Sequence, residues 1–303
     1  MNSNMKVYML FVVIFMPQIS SSEVDCNSKG GRSNERRLLL IGKAGVGKST
    51  TGNAILGKDI FLAHDLAAKS TTKTCQVEKI KRDGKDILVA DTPGLGDAAL
   101  GYDYFSTLVE IAQGFGFMTP GPHAILFVLW PDRINIYDEE SLQAYYNVFG
   151  SELYKYTIAI FTHVPYSKEK NIPHFIDSGD QKSFLTKLMH DTNYRYVIFG
   201  DPQNRTRREL DVKILLKKIE KMIEQNKPEC FLNHISNMAE DAIQRLGMGD
   251  RDKGREKLKE AFNWLISIII RVALSSLLGY YFGFIFSSIG IIEAIFQIIL
   301  TFF

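Results

Sequence analysis

Gly42-Lys43-Ala44-Gly45-Val46-Gly47-Lys48-Ser49 satisfies G-x-x-x-x-G-K-S at every required position. The context that pattern demands is also present: an apolar stretch, residues 37–41, runs into the loop, and a helical stretch, residues 48–56, leaves it. Glycine has a physical purpose here. It lets the loop curl so that successive backbone N–H groups point inward at a phosphate, and the positive end of the following helix adds to that field. Gly42, Ala44, Gly45, Val46, Gly47 and Thr50 are therefore expected to build the cradle. Lys48 is expected to reach the outer phosphates, and the Ser49 hydroxyl to coordinate Mg²⁺.

Downstream, Asp91-Thr92-Pro93-Gly94 closes the apolar stretch 87–90. An aspartate at that strand end is placed to hold Mg²⁺ through water, and the Gly94 N–H to sense a γ-phosphate. Between the two motifs lies Ser70-Thr71-Thr72-Lys73-Thr74, a polar loop able to supply a threonine to the metal. Ser49, Thr72 and Asp91 thus form the expected metal set. In this order they describe a nucleotide switch, in which γ-phosphate contacts order two loops and hydrolysis releases them.

Around these motifs the chain alternates apolar runs with helical patterns. The runs at 77–81 and 86–90 flank Asp83-Gly84, a strong two-residue hairpin turn. Further runs fall at 124–130, 157–161 and 196–199, with helical stretches near 104–113, 138–149 and 180–189 between them. Buried runs separated by amphipathic helices predict an α/β fold: a P-loop NTPase G domain with a mainly parallel six-stranded sheet, helices on both faces, and one hairpin-linked antiparallel strand. This domain is assigned to 36–205. A helical extension, 206–261, carries an apolar stripe through Ile214, Leu215, Ile219, Met222 and Ile223.

Several stretches go beyond P-loop proteins in general. Thr-Thr-Gly-Asn-Ala-Ile-Leu-Gly (50–57), Thr-Lys-Thr-Cys-Gln (72–76), Pro120-Gly121-Pro122-His123-Ala124, Asp138-Glu139-Glu140-Ser141-Leu142 and Phe161-Thr162-His163 are the specific ones. In these the chain resembles the GTPases of the immunity-associated protein family (GIMAP), relatives of the plant Toc import receptors, over roughly residues 36–205. The resemblance implies GTP and GDP with Mg²⁺ as ligands, Thr72 as the switch threonine, and His163 packed against the guanine. It also implies self-association through the G domain. The chain departs from the common guanine box N/T-K-x-D, whose carboxylate pairs with the base: Thr162-His163-Val164-Pro165 has none. The base loop Phe199-Gly200-Asp201 lacks the family's asparagine, and Asp201 is the substitute one residue away. No glutamine follows Gly94 in the water-positioning place, and no Lys or Arg lies between Ala98 and His123, so slow intrinsic hydrolysis is expected. Arg133 is the nearest basic candidate for a finger. The expected role is a GTP-dependent switch or scaffold; a dimer-activated GTPase and a Toc-like receptor for client proteins are the alternatives.

The remaining chain carries its own signals. A net charge of +2 gives no case for nucleic acid. Cys26, Cys75 and Cys230 are too few and scattered for a disulfide framework or a zinc site, and read as free thiols in a reducing compartment. Residues 1–35 are a hydrophobic leader and linker. The ten apolar residues 7–16 cover only about 15 Å of helix, too short to span. Their layout fits a secretory signal, a reading disfavoured because the G domain needs cytosolic GTP and Mg²⁺. Residues 262–303 contain only two charges, Arg271 and Glu293. The uncharged stretch 272–292 is long enough to cross a bilayer, and the basic cluster before it (Arg251, Lys253, Arg255, Lys257, Lys259) places the G domain in the cytosol.

Overall fold

Uninterrupted apolar runs such as Ala-Ile-Leu-Phe-Val-Leu suit strands covered on both faces, and the chain uses them that way. A computed structural model describes residues 26, 34–62, 74–94, 102–177, 182–200, 204–227, 229–232, 234–248, 250 and 252–261. Its strands are β1 (Glu35–Ile41), β2 (Gln76–Arg82), β3 (Lys85–Asp91), β4 (Ala124–Leu129), β5 (Thr157–Thr162) and β6 (Tyr196–Phe199). They form one sheet in the order β2-β3-β1-β4-β5-β6. Every neighbouring pair is parallel except β2 with β3. That hairpin turns at Asp83 and Gly84, both at positive φ (49° and 76°), the backbone that a tight turn between twisted strands requires. The mainly parallel six-stranded sheet with one antiparallel strand is as the sequence led us to expect.

The helices are α1 (Lys48–Leu56), α2 (Tyr102–Phe117), α3 (Ile136–Phe149), α4 (Ile172–Asp177), α5 (Lys182–Asp191), α6 (Arg205–Gln225) and α7 (His234–Gly247), followed by α8 (252–261). They cover both faces. Ile111 and Phe115 of α2, Tyr145 of α3, Leu188 of α5, Ile243 of α7 and Leu258 of α8 belong to one apolar core. Ile55 and Leu56 of α1 with Val212, Leu215 and Ile219 of α6 belong to the core on the opposite face. Asn204 starts α6, its side chain accepting from the Arg207 N–H at 3.0 Å. Of the stripe named from the sequence, Leu215, Ile219, Met222 and Ile223 are buried, joined by Val212, whereas Ile214 is 39% exposed.

One expectation is overturned. Cys26 and Cys230 are not free thiols: they form a disulfide across 204 residues, with Cα atoms 5.7 Å apart. No spacing in the sequence could announce it, because the pairing follows from the docking of the segment around Cys230 on the sheet end. There Phe231 N–H donates to Pro122 O at 2.9 Å, and Cys230 is fully buried. Cys75 is free, as expected, and it is buried. The leader 1–25, Thr72, Asp201 and the stretch 272–292 lie outside the described residues. Among the described residues no helix is long and apolar enough to cross a membrane.

Candidate functional site

The carboxyl ends of β1, β3, β4 and β5 meet one loop, residues 42–47, and the site is built there. Gly42, Gly45 and Gly47 all take positive φ (138°, 74° and 97°), so the loop curls back before α1 begins at Lys48. A Cβ on Gly42 would fall 2.5 Å from Val128 O. The loop therefore lies flat against β4, and only glycine fits that place. On the other side Gly94, just past β3, lies so close that a Cβ would come within 2.3 Å of the Ala44 N. The two loops are in backbone contact, which is the geometry by which a change at one is felt at the other.

Three polar side chains, Ser49, Asp91 and Lys48, converge under this arch. Ser49 Oγ donates to Asp91 Oδ2 at 2.6 Å, so the hydroxyl at the start of α1 and the carboxylate at the end of β3 share one place. Lys48 Nζ donates to Lys43 O at 2.9 Å, reaching back across the loop. Burial lowers the Lys48 pKa to about 8, against a smaller opposing pull from Asp91. A buried ammonium disfavoured by desolvation, at the start of a helix and beneath a glycine-built loop, is a site whose electrostatics call for an anion. The neighbouring Lys43 takes no part in that: its ammonium pairs with Asp138 Oδ2 at 3.0 Å and donates to Arg133 O at 3.0 Å, fastening the loop to α3.

The base side follows from β5. Thr162 Oγ1 donates to Val46 O at 2.6 Å, tying the strand end to the loop. His163 then takes φ 57°, turning its ring toward Gly47. One imidazole face is covered by Trp130, whose ring stacks at 3.7 Å and 6°, and the residue as a whole is exposed. The Arg133 guanidinium lies 3.8 Å from the indole centroid. Two flat groups at that height cannot share one face, so His163 and Arg133 sandwich the indole. The resulting pocket is lined by Gly47, Thr50, Thr51, Ala54, Thr162, His163, Phe199, Gly200, Arg208 and Asp211.

A family model described as the AIG1 family matches residues 36–248. The chain belongs to the AIG1 family. Among its relatives, the immune-associated nucleotide-binding protein 9 of Arabidopsis thaliana is 28% identical over 228 residues, 73% of this chain and 65% of that protein. The human GTPase IMAP family member 8 is 31% identical over 201 residues, 64% of this chain. This AIG1-family chain spans only 28% of the human protein's length. Toc33 of Arabidopsis thaliana shares the fold, with a TM-score of 0.51 at 22% identity over 65% of this chain and 87% of that one. A second Toc33 structure, in complex with Mg²⁺ and GMPPNP, gives a TM-score of 0.50 over 64% of this chain and 87% of that one.

In this AIG1-family chain the structure brings together Gly42, Ala44, Gly45, Val46, Gly47, Lys48, Ser49, Thr50, Asp91, Gly94 and His163 at one end of the sheet. The residues present suit a phosphate chain with Mg²⁺. The loop offers N–H groups and one buried cation, and the Ser49–Asp91 pair supplies the oxygen donors a hard cation takes. Trp130, Arg208 and Asp211 were not singled out from the sequence. Trp130 had a signal, an aromatic at the end of β4 directly above the site. Arg208 and Asp211 had none, since on a charged helix they read as solvated surface.

Proposed function

We propose that this chain is a membrane-anchored GTP-binding switch that self-associates through its G domain and hydrolyses GTP slowly. One observation carries the reading: the Ser49 hydroxyl and the Asp91 carboxylate meet at 2.6 Å beneath a glycine-built loop that also encloses the Lys48 ammonium. Lys48 and the loop N–H groups would hold the β- and γ-phosphates, Ser49 and Asp91 the Mg²⁺, with Thr72 as the third metal ligand and His163 under the base. The metal, when bound, neutralises charge developing on the phosphates. Backbone contact between Gly94 and Ala44 gives the chain a route by which the phosphate end is sensed after β3. Relatives named as GTPases and the Toc33 complex with GMPPNP support guanine nucleotide as the ligand. The Toc33 structure described as a dimerisation-deficient mutant supports self-association as the property to test.

The decisive experiment titrates full-length protein with a fluorescent GTP analogue and competes it with GTP, GDP and ATP. Submicromolar GTP binding that Lys48→Ala abolishes is the expected result; equal ATP and GTP affinities, or binding unaffected by Lys48→Ala, would overturn the reading. Membrane attachment rests on the sequence of 262–303, and sedimentation with liposomes, lost on truncation after residue 261, tests it.

A specific observation favours a second placement. Disulfides persist in oxidising compartments, and Cys26 is bonded to Cys230. With a signal-like leader at residues 7–16, this would set the G domain on a lumenal face rather than in the cytosol. Protease treatment of intact microsomes separates the two: a cytosolic G domain is degraded, a lumenal one is protected.

A further inference from the structure

The loop after β5 lacks the carboxylate that guanine sites in P-loop proteins ordinarily use, yet a carboxylate stands in the same pocket from another direction. Asp211 lies on α6, two turns in, and is 1% exposed. It lines the pocket with Thr162, His163 and Gly200. Its position is fixed from two sides. Oδ1 accepts from Arg207 Nε at 2.8 Å, and Oδ2 accepts from the Gly200 N–H at 3.4 Å. Arg207 is itself held by Glu169 Oε2 at 2.8 Å, in the turn that follows His163-Val164-Pro165. The β5 turn, the end of β6 and α6 are thereby joined around one carboxylate.

Such a group has capacity left. An ionised carboxylate offers about four lone-pair sites, and these contacts use two of them. Guanine presents an N–H and an NH₂ side by side, a donor pair that a carboxylate matches and adenine lacks. We propose that Asp211 is the specificity-determining residue for the purine: it accepts from the guanine Watson–Crick edge, from α6, in place of the carboxylate missing after His163. This rests on the GTP-binding reading above. Asp201, the substitute suggested by the sequence, is the competing candidate. The competing role for Asp211 is that of a staple, holding Arg207 and Gly200 with no contact to the base.

The test exchanges the hydrogen-bonding sense of the side chain at constant size. Xanthine carries a carbonyl where guanine carries the NH₂, so an amide at this position pairs with xanthine. Equilibrium affinities for GTP, XTP and ATP are measured by displacement of a fluorescent nucleotide from full-length wild type, Asp211→Asn and Asp201→Asn. Asp211→Asn is expected to lose GTP affinity by about 10- to 100-fold and to gain XTP affinity by a similar factor. Asp201→Asn is expected to leave the GTP:XTP ratio as it is. A staple alone gives Asp211→Asn proteins that weaken for all three nucleotides alike, and that overturns the proposal. A GTP-to-XTP exchange in Asp201→Asn overturns it too, and this arm decides even where Asp211→Asn fails to fold. Failure of the GTP reading itself is distinguishable, because wild type then binds no purine triphosphate in a Lys48-dependent way.

Discussion

The indole of Trp130 and the imidazole of His163 lie ring on ring, 3.7 Å between centroids and 6° from parallel, with Arg133 on the indole's far side. The stack gives His163, held at φ 57°, a rigid backing where it lines the pocket. Stacked aromatic pairs are worth about 0.5–1.5 kcal/mol beyond the area they bury. Trp130→Ala should therefore weaken nucleotide binding by roughly two- to tenfold without changing the Mg²⁺ requirement. The fluorescence of Trp130 should also change when nucleotide is added; an affinity equal to that of wild type would show that the backing is not used.

Ser49 and Asp91 make a second, separable prediction. If their 2.6 Å contact marks the metal position, EDTA should lower wild-type GTP affinity by roughly tenfold or more, about 1.4 kcal/mol. In Asp91→Asn the affinity in Mg²⁺ should already be low and EDTA should change it little. Isothermal titration with and without Mg²⁺ reads both, and a full Mg²⁺ response in Asp91→Asn would exclude the assignment.

His123 predicts a pH dependence of stability. Its Nδ1 accepts from the backbone N–H of Arg37 at 3.0 Å, and its Nε2 lies 3.3 Å from the Arg37 guanidinium. Burial first, then Arg37 and Arg36, push its pKa well below the usual value. The folded state thus resists a proton that the unfolded chain accepts near pH 6.5. Stability is full above that pH and falls as pH drops below it, by up to about 1.4 kcal/mol per unit. Urea unfolding from pH 7.5 to 5 should show this slope in wild type. His123→Gln, which keeps an acceptor but does not titrate, should flatten it; an unchanged slope assigns the effect elsewhere.

The disulfide predicts a redox dependence. Closing 204 residues of unfolded chain is worth on the order of 5 kcal/mol in the chain-entropy account. Thermal unfolding of wild type should occur at lower temperature with reductant than without. Cys230→Ser should match the reduced protein and ignore reductant. Thiol labelling of the native, unreduced protein should be slow throughout, because Cys75 is buried. Fast labelling of Cys26 or Cys230 in that protein would contradict the pairing.

Lys43 and Asp138 show how a residue inside the signature motif can have a structural duty. The pair is buried, 9% and 1% exposed at the side chains, and holds the loop to α3. Asp138→Ala leaves an ammonium without its partner, and such losses cost about 3–5 kcal/mol. Lys43→Met with Asp138→Leu together should recover much of that, as read by chemical unfolding.

The eight residues 42–49, the aspartate at 91 and the alternation of apolar runs with helices were enough to determine the sheet, its one antiparallel edge and the curled glycine loop beside which Ser49 and Asp91 meet. They were legible because each is local: a loop that must curl needs glycine where it curls, and a buried strand needs an unbroken apolar run. His163 was reached differently, through the family resemblance of the motif Phe161-Thr162-His163. The pairing of Cys26 with Cys230, the sandwich of His163, Trp130 and Arg133, and the arrival of Asp211 beside Gly200 were decided only by the tertiary structure. Each joins residues whose neighbours in the chain say nothing about the contact. Asp211 sits on a charged helix where an aspartate ordinarily faces water, and only the packing of α6 against β6 turns it inward. Local pattern sets which elements form; which side chains face each other across them depends on how the layers dock, a property of the whole chain.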